Sequence, residues 1–406
     1  MSGSNILKYS FLFLFLFILI SCKPVETDSE IEGFSICLGE FPHFDQAELF
    51  KSKLDIQLWS RTSIKSEEER HLLLIGNFDS SFDAGNEALD LFRKGLITNY
   101  KIYEKGKFVY DDFTNVMFVA RFQGRPSVYS YNMMTRQSRL FWSRWGRKVI
   151  SLNHSADRSY LFFVTALGYG KQGSFSYVRD ARAYRFKSSA EEVDELTELG
   201  TGLQIYTYWD AKDTFKVNFT KPDSINSDIL IQEISSYLYD GKVIDHKKRT
   251  FSLTREGFPK PPSIQPRLLS GSMAKSIRLT RHENLSYIYL RDLKEGSEVL
   301  IGSFSGELFD AKWSVDDNHL FLIVRNRIVK RGKTEEQHDL MIIDTALKKL
   351  VRTFHSNYYQ NLLVHGNFLF FDSRSGTDSF ITIYDYQNDD VFDEIRLPGG
   401  CGINNL

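Results

Sequence analysis

The sequence predicts a multidomain protein: a small α+β domain, built as a four-stranded antiparallel sheet with two helices, followed by an all-β propeller of about six blades, with seven as the alternative count. Three observations carry this. A strand ending in glycine followed by a helix occurs twice between residues 34 and 105, with the two glycines 37 residues apart. From residue 108 onward helical periodicity nearly vanishes, and runs rich in Phe, Tyr, Ile and Val take over. Within those runs hairpin turns recur at spacings that a blade of four strands would produce.

The chain begins with Lys8, an unbroken apolar run from Phe11 to Ile20, and then Leu19-Ile20-Ser21-Cys22. A basic start and an apolar stretch too short to span a bilayer comfortably describe a signal peptide over 1–21, cut before Cys22. The segment resembles a bacterial lipoprotein signal with its lipobox. That resemblance implies lipidation of Cys22, with diacylglyceryl and palmitate-type acyl chains on a thiol that is nucleophilic enough to accept them. Several acyl chains give stable anchoring, at about 0.8 kcal/mol per buried methylene. Val25 to Gly33 is acidic and polar, and the resemblance implies an acylated tether over 22–33.

Removing 21 of the 406 residues leaves 385, enough for two or three domains. With 25% charged and 42% hydrophobic residues the folded part is globular, and 51 basic against 52 acidic residues supply no field to attract nucleic acid. Besides Cys22 only Cys37 and Cys401 remain, which excludes a disulfide framework and a thiolate metal cluster. One bridge between them, or two unpaired and partly buried thiols, are both open.

In the α+β domain, residues 34–105, FSICLGEF precedes PHFDQAELFKSKL, and LLLIGNF precedes DSSFDAGNEALDLFRKGL. Gly39 and Gly76 each precede x-Phe, and Ala47, Phe50 and Leu54, then Ala88, Leu91 and Phe92, fall at helical spacing. IQLWSRTSI alternates as a strand between the two units, and TNYKIYE supplies the fourth strand. The doubled Gly-x-Phe, with Asp45-Gln46-Ala47 and Asn86-Glu87-Ala88 in the helices, resembles the SPOR domain, the sporulation-related repeat. The resemblance implies binding of peptidoglycan glycan strands on the open sheet face opposite the helices. By the period of two, Ser35 and Cys37 point to that face if Ile36 and Leu38 point at the helices, and Gln57, Trp59 and Arg61 point there if Ile56 and Leu58 point in. The glycan-binding candidates are therefore Ser35, Gln57, Trp59 and Arg61. Their chemistry suits a sugar, whose apolar face an aromatic ring covers while polar side chains reach its hydroxyls. Cys37 and Leu74 depart from the family by putting apolar groups there.

The propeller occupies 108–406. Ser155 to Phe162 and Ser314 to Phe321 match as S-x-D-x-x-x-L-F, a turn in which Asp bonds backbone NH groups ahead of a buried strand. Four strand-turn-strand units carry turn residues Asn132, Asp292, Asp344 and Asp385, which are 160, 52 and 41 residues apart; the long gap holds extra units. These repeats resemble a TolB-type or WD-like β-propeller, with the Pro and Gly of its turn replaced. A pair of β-sandwiches is the competing architecture. Gly257 to Pro266, with four of the nine prolines, reads as a connection between blades, and Lys187 to Glu198 as a solvated loop or short helix.

Catalytic chemistry is sparse. Gly168-Tyr169-Gly170-Lys171-Gln172-Gly173 spells G-x-G-x-x-G, but a strand follows it where a dinucleotide site needs a helix, so it reads as a hairpin. No histidine pair has zinc spacing, Asp316-Asp317 and Asp389-Asp390 sit in turns, and no G-x-S-x-G occurs. No catalytic residue, cofactor or metal is expected. The resemblances imply a non-enzymatic lipoprotein of the cell envelope, in the outer membrane facing the periplasm, whose partners are the membrane, peptidoglycan and an envelope protein on the propeller. A surface-exposed propeller adhesin is the alternative, and a propeller glycan lyase or hydrolase a further one.

Overall fold

The computed structural model describes residues 33–67, 70–94, 96–97, 100–109, 115–133, 135–155, 160–172, 175–187, 192–211, 214–259, 268–314, 316–330, 333–356 and 358–404. The signal peptide, Cys22 and the tether to residue 32 lie outside the described residues.

The first unit runs β1 (Phe34–Phe41), α1 (Phe44–Lys51), α2 (Ile56–Trp59), β2 (Thr62–Glu67), β3 (Arg70–Phe78), α3 (Ser81–Arg93), β4 (Lys101–Glu104) and β5 (Lys107–Val109). Its antiparallel sheet has the order β2-β3-β1-β4-β5, so the four expected strands gain a short fifth, and the unit extends past residue 105. The repeated Gly-x-Phe has a packing cause. A β-carbon on Gly39 would stand 2.8 Å from the Phe41 ring, and one on Gly76 2.8 Å from the Phe78 ring; Gly76 also has φ +71°. Each phenylalanine folds back over its own glycine, and only a residue without a side chain leaves room for the ring. Ser80 caps α3 by accepting from the Asp83 amide.

Among the described residues six antiparallel sheets follow, as in a β-propeller of about six blades. The first holds β6 (Asn115–Ala120), β7 (Ser127–Asn132) and β8 (Gln137–Trp142). In the second are β9 (Lys148–His154), β10 (Tyr160–Ala166), β11 (Gly168–Gln172), β12 (Phe175–Lys187) and β13 (Glu192–Gly202). The third comprises β14 (Gln204–Ala211), β15 (Thr214–Pro222), β16 (Ile229–Tyr237) and β17 (Val243–Ser252); the fourth comprises β18 (Lys275–His282), β19 (Leu285–Asp292) and β20 (Glu298–Ser305). β21 (Glu307–Trp313), β22 (His319–Lys330), β23 (Lys333–Asp344) and β24 (Lys349–Ser356) make the fifth. β25 (Tyr359–His365), β26 (Phe368–Ser375), β27 (Asp378–Asp385) and β28 (Asp390–Leu397) make the sixth. The chain then returns as β29 (Cys401–Gly402), which pairs with β6 at Ala120 and Val119. The last strand thereby completes the first sheet and ties the two ends of the ring.

The turn residues do what their chemistry requires. Asn132 accepts from the Thr135 amide, Asp292 from Lys294 and Glu295, Asp344 from Leu347, and Asp385 from Gln387 and Asn388, each between the last two strands of its sheet. Asp240 does the same for the third sheet by accepting from Lys242, which fills part of the long gap. Ser314 Oγ accepts from the His319 amide at 2.8 Å and donates to Asp316; Ser155 accepts in the same way from Tyr160, and so does Ser270 from Lys275.

Lys187 to Glu198 corrects an expectation. Its described part from Glu192 is strand β13, because the segment's acidic side chains meet the basic ones of β12: Arg182 bonds Glu195 at 2.9 Å, and Arg185 pairs with Asp194. Gly168–Gln172 pairs with β12 as a hairpin, as expected. Of the Pro-rich connection, 260–266 lie outside the described residues. Cys37 and Cys401 are free thiols.

Apolar clusters join the first sheet to the second, the second to the third, the fourth to the fifth and the fifth to the sixth. One further cluster runs through the sixth sheet, the first sheet and the α+β unit together, from Ile36, Ala88 and Leu89 to Phe118, Phe370 and Ile383. The two parts of the protein share a core.

Candidate functional site

Ser35, Gln57, Trp59 and Arg61 do not converge. The expected strand from Ile56 begins instead as α2, because the Asp55 carboxylate accepts from the Gln57 amide at 2.9 Å and starts a helical turn. Leu58 turns into the core on the helix side, which leaves Gln57 exposed and Trp59 53% exposed there, with the Lys51 ammonium 5.6 Å from its ring. Arg61, just before β2, pairs with Glu87 of α3 at 2.6 Å. Ser35 lies across the sheet from them, fully buried, and its Oγ has no hydrogen-bond partner.

Nor is the sheet face opposite the helices open. Cys37, Leu72, Leu74 and Tyr103 cluster there at 0–2% exposure. The sheet coils far enough to bring its edges together, with Gly106 of the β4–β5 turn against the Lys65 and Glu67 side chains of β2. At the mouth of this small core Glu40 accepts from Lys101 at 2.6 Å, Tyr103 at 2.8 Å and Arg70 at 3.0 Å. Led by the Lys101 bond, these donors outweigh burial and pull its carboxyl down to about 2. Burial pushes the Cys37 thiol up to about 11, which removes it as a nucleophile.

The joint between the two parts holds a cavity of about 290 Å³, lined by Phe92 of α3 and by Asp385, Asn388, Asp390 and Phe392 of the sixth sheet. Arg136 closes the outer face of Phe392 with its guanidinium 4.8 Å from the ring, and Tyr131 donates to Asp393. Asp385 is committed to its own turn, where Asn388 also bonds it through its side chain at 2.8 Å.

Between the third and fourth sheets the packing changes character. Ile205, Phe215, Val217 and Phe219 of the third sheet face the second. The alternate residues Gln204, Asn218, Thr220 and Gln232 face the other way and are 1–7% exposed. Gln204 Oε1, Asn218 Oδ1 and Thr220 Oγ1 have no hydrogen-bond partner. In the fourth sheet Ile277, Ile288 and Leu290 face the fifth, and Arg278, Tyr289, Arg291 and Glu298 face back toward the third. Arg278 Nε donates to Glu298 at 2.8 Å and stacks 4.3 Å from the Tyr289 ring, while Arg291 bonds the same carboxylate. The two arginines, Arg278 foremost, pull the Glu298 carboxyl down to about 2. Among the described residues no apolar cluster crosses this seam. The polar alternation of QIYTYWDA and KVNFTK is its trace in the sequence, but alternation alone names no partner sheet.

Among the described residues no group of His, Cys, Asp and Glu is placed to hold a metal ion. No protein-family model matches the chain, and no curated protein matches it. Among solved structures it is similar to TolB from Acinetobacter baumannii at 14% identity over 84% of this chain and 79% of that one, with a TM-score of 0.40. A putative 6-phosphogluconolactonase from Bacteroides uniformis aligns at 11% identity over 72% and 98% of the two chains, with a TM-score of 0.39. A nidogen/laminin complex aligns at 10% identity over 69% and 92% of the two chains, with a TM-score of 0.37. At such values no activity or partner transfers from them.

Proposed function

We propose that the chain is a non-enzymatic envelope lipoprotein, acylated at Cys22, that docks a partner protein on its propeller. The observation that supports this most is the core shared by α3 and the first and sixth sheets. A tether that enters at Phe34 thereby acts on one rigid body, and the ring of turns is presented at a fixed orientation to the surface that holds the lipid. Binding of this kind needs a broad rigid face and no grouped acid, base or nucleophile. Cys22→Ser tests the anchor: the wild-type chain pellets with membranes and the variant becomes soluble, and a wild-type chain found wholly in the soluble fraction overturns the reading. Protease shaving of intact cells separates a periplasmic protein, which is protected, from a surface adhesin, which is cut.

Peptidoglycan binding in the manner of a SPOR domain is a second reading, and one observation favours it in altered form. Trp59 offers an exposed ring flanked by Lys51 and by the Arg61–Glu87 pair, a sugar platform on the helix side of the unit. Trp59→Ala abolishes pelleting with purified glycan on this reading, and undiminished pelleting removes it.

A further inference from the structure

We infer that the α2 turn, with Ile56 and Trp59, is a membrane contact: it rests in the headgroup layer of the bilayer that holds the acyl chains of Cys22. This commits that face of the small unit to lipid and rests on the anchored reading of the chain.

Exposure supplies the first argument. Leu58 turns into the core, and the helical twist then points its neighbours outward: Ile56 is 84% exposed and Trp59 53%. Leu49, in the last turn of α1, is 58% exposed. That turn adjoins α2, because Lys51 donates to the Thr62 carbonyl at 2.6 Å and its ammonium stands 5.6 Å from the Trp59 ring. A sugar is served by a ring beside polar groups, and an outward isoleucine and leucine add no hydrogen bond to it. Both gain by entering lipid, and an indole, apolar with a single donor, suits the interface. The charges around the turn balance: Arg61 pairs with Glu87, Asp55 caps α2, and the exposed Lys53 and Glu48 are opposite in sign. Apolar burial, not attraction to anionic lipid, therefore carries the contact.

The second argument is where the tether ends. β1 and β2 both pair antiparallel with β3 and so begin at the same end of the sheet, with Ile36, Ile75 and Thr62 in one row. Two strand spacings, about 10 Å, separate the outer two. The chain enters two residues before Ile36, at Phe34, and the Thr62 hydroxyl donates to the Trp59 carbonyl at 3.0 Å. The tether and the α2 turn thus share one end of the unit. Cys22 is eleven residues before Gly33, which even fully extended is a reach of at most about 40 Å. Lipid therefore stays within reach of the turn, and the acyl anchor raises its effective concentration there. So small a patch does not hold the protein without the anchor, so the Cys22→Ser chain remains soluble.

The test uses the acylated full chain in vesicles of phosphatidylcholine, plain or brominated along its acyl chains, with tryptophan emission as the readout. Bromine quenches only an indole close to the acyl region, so it selects among the five tryptophans. Quenching is expected, lost in Trp59→Phe and in Ile56→Asp, and unchanged by high salt. Both positions are exposed, so thermal melts of the two variants should match the wild type, which separates the loss from unfolding. Vesicle-bound protein without quenching overturns the inference. Quenching that survives Trp59→Phe overturns it too, because another indole, such as Trp145 at 89% exposure, then meets the lipid. Purified glycan strands that relieve the quenching give the ring to the sugar and have the same effect. A chain that does not float with the vesicles removes the acyl anchor and this contact with it, whereas floating without quenching removes the contact and leaves the anchor standing.

Discussion

Leu89 of α3 lies over Gly366 in the β25–β26 turn, so close that a β-carbon on the glycine would stand 3.2 Å from the leucine Cδ1. The same carbon would stand 3.2 Å from Asn86 Oδ1, and Gly366 has φ +54°. The helix of the small unit thus rests on backbone of the last propeller sheet, with no side chain between them. Leu89 is 2% exposed, and Leu89→Ala is expected to cost about 2–4 kcal/mol. The shared core predicts more than the size of the loss. Calorimetry of the wild type should show one transition, and Leu89→Ala should lower the midpoint reported by Trp59 and by the propeller tryptophans together. Separate transitions, with only the Trp59 signal moved, would contradict a common core.

Arg147 is a buried cation held by three acceptors. Its side chain is 5% exposed, and it donates to Thr165 Oγ1 at 2.8 Å, to the Asp180 carboxylate at 3.1 Å and to the Asp180 carbonyl. Asp180 is held in the left-handed region at φ 49°, and although burial pushes its carboxyl up, the bonds from Arg147 and Arg182 bring it below the usual range. Removing the guanidinium takes one of two arginines from the Asp180 carboxylate and leaves a void beside the fully buried Thr165 hydroxyl. Arg147→Ala should destabilise by about 3 kcal/mol. Arg147→Lys should recover only part of this, because an ammonium cannot span the three acceptors in one plane. Urea melts of the two variants check the order.

Much of this architecture was legible locally and little of it across distance. The turn residues Asn132, Asp292, Asp344 and Asp385 announced themselves because each caps its own hairpin, and the Gly-x-Phe echo because each ring sits on its own glycine. IQLWSRTSI misled because Ile56 and Leu58 alternate as a strand would, whereas Asp55 ahead of them is a helix cap. The acidic run after Lys187 looked solvated because its neutralising arginines, Arg182 and Arg185, stand on the neighbouring strand. The closed sheet face was hidden for the same reason: Leu72, Leu74 and Tyr103 cover Cys37 only once the sheet coils. The seam depends on two faces from separate sheets, which no local pattern reveals.

Glu40 predicts an acid-sensitive step in the small unit. Its carboxyl ordinarily titrates near 4.5 and is lowered to about 2 in the fold, by the Lys101 bond first and then by Tyr103 and Arg70 against burial. Because the folded value is the lower one, the stabilisation is complete above about 4.5 and is lost as pH falls toward 2. With the side chain 30% exposed, solvent screening reduces the contribution to about 1–2 kcal/mol. Glu40→Gln should be less stable than the wild type at neutral pH and should lose less stability between pH 4.5 and 2. Equal slopes for the two proteins in that window would show that Glu40 is not linked to folding.

The turn acids separate by depth. Asp385 is 5% exposed and accepts from the Gln387 amide at 3.1 Å, the Asn388 amide at 3.0 Å and the Asn388 side chain at 2.8 Å. Asp292 makes the equivalent bonds to Lys294 and Glu295 at 2.9 and 3.0 Å, but in an exposed turn where water can replace the lost acceptor. Asp385→Ala leaves donors without an acceptor at the joint that carries α3, and should cost about 2–3 kcal/mol. Asp292→Ala should cost about 0.5–1 kcal/mol. Thermal melts of the two variants decide between this ranking, in which burial sets the cost of an identical motif, and equal losses, in which the turn itself does.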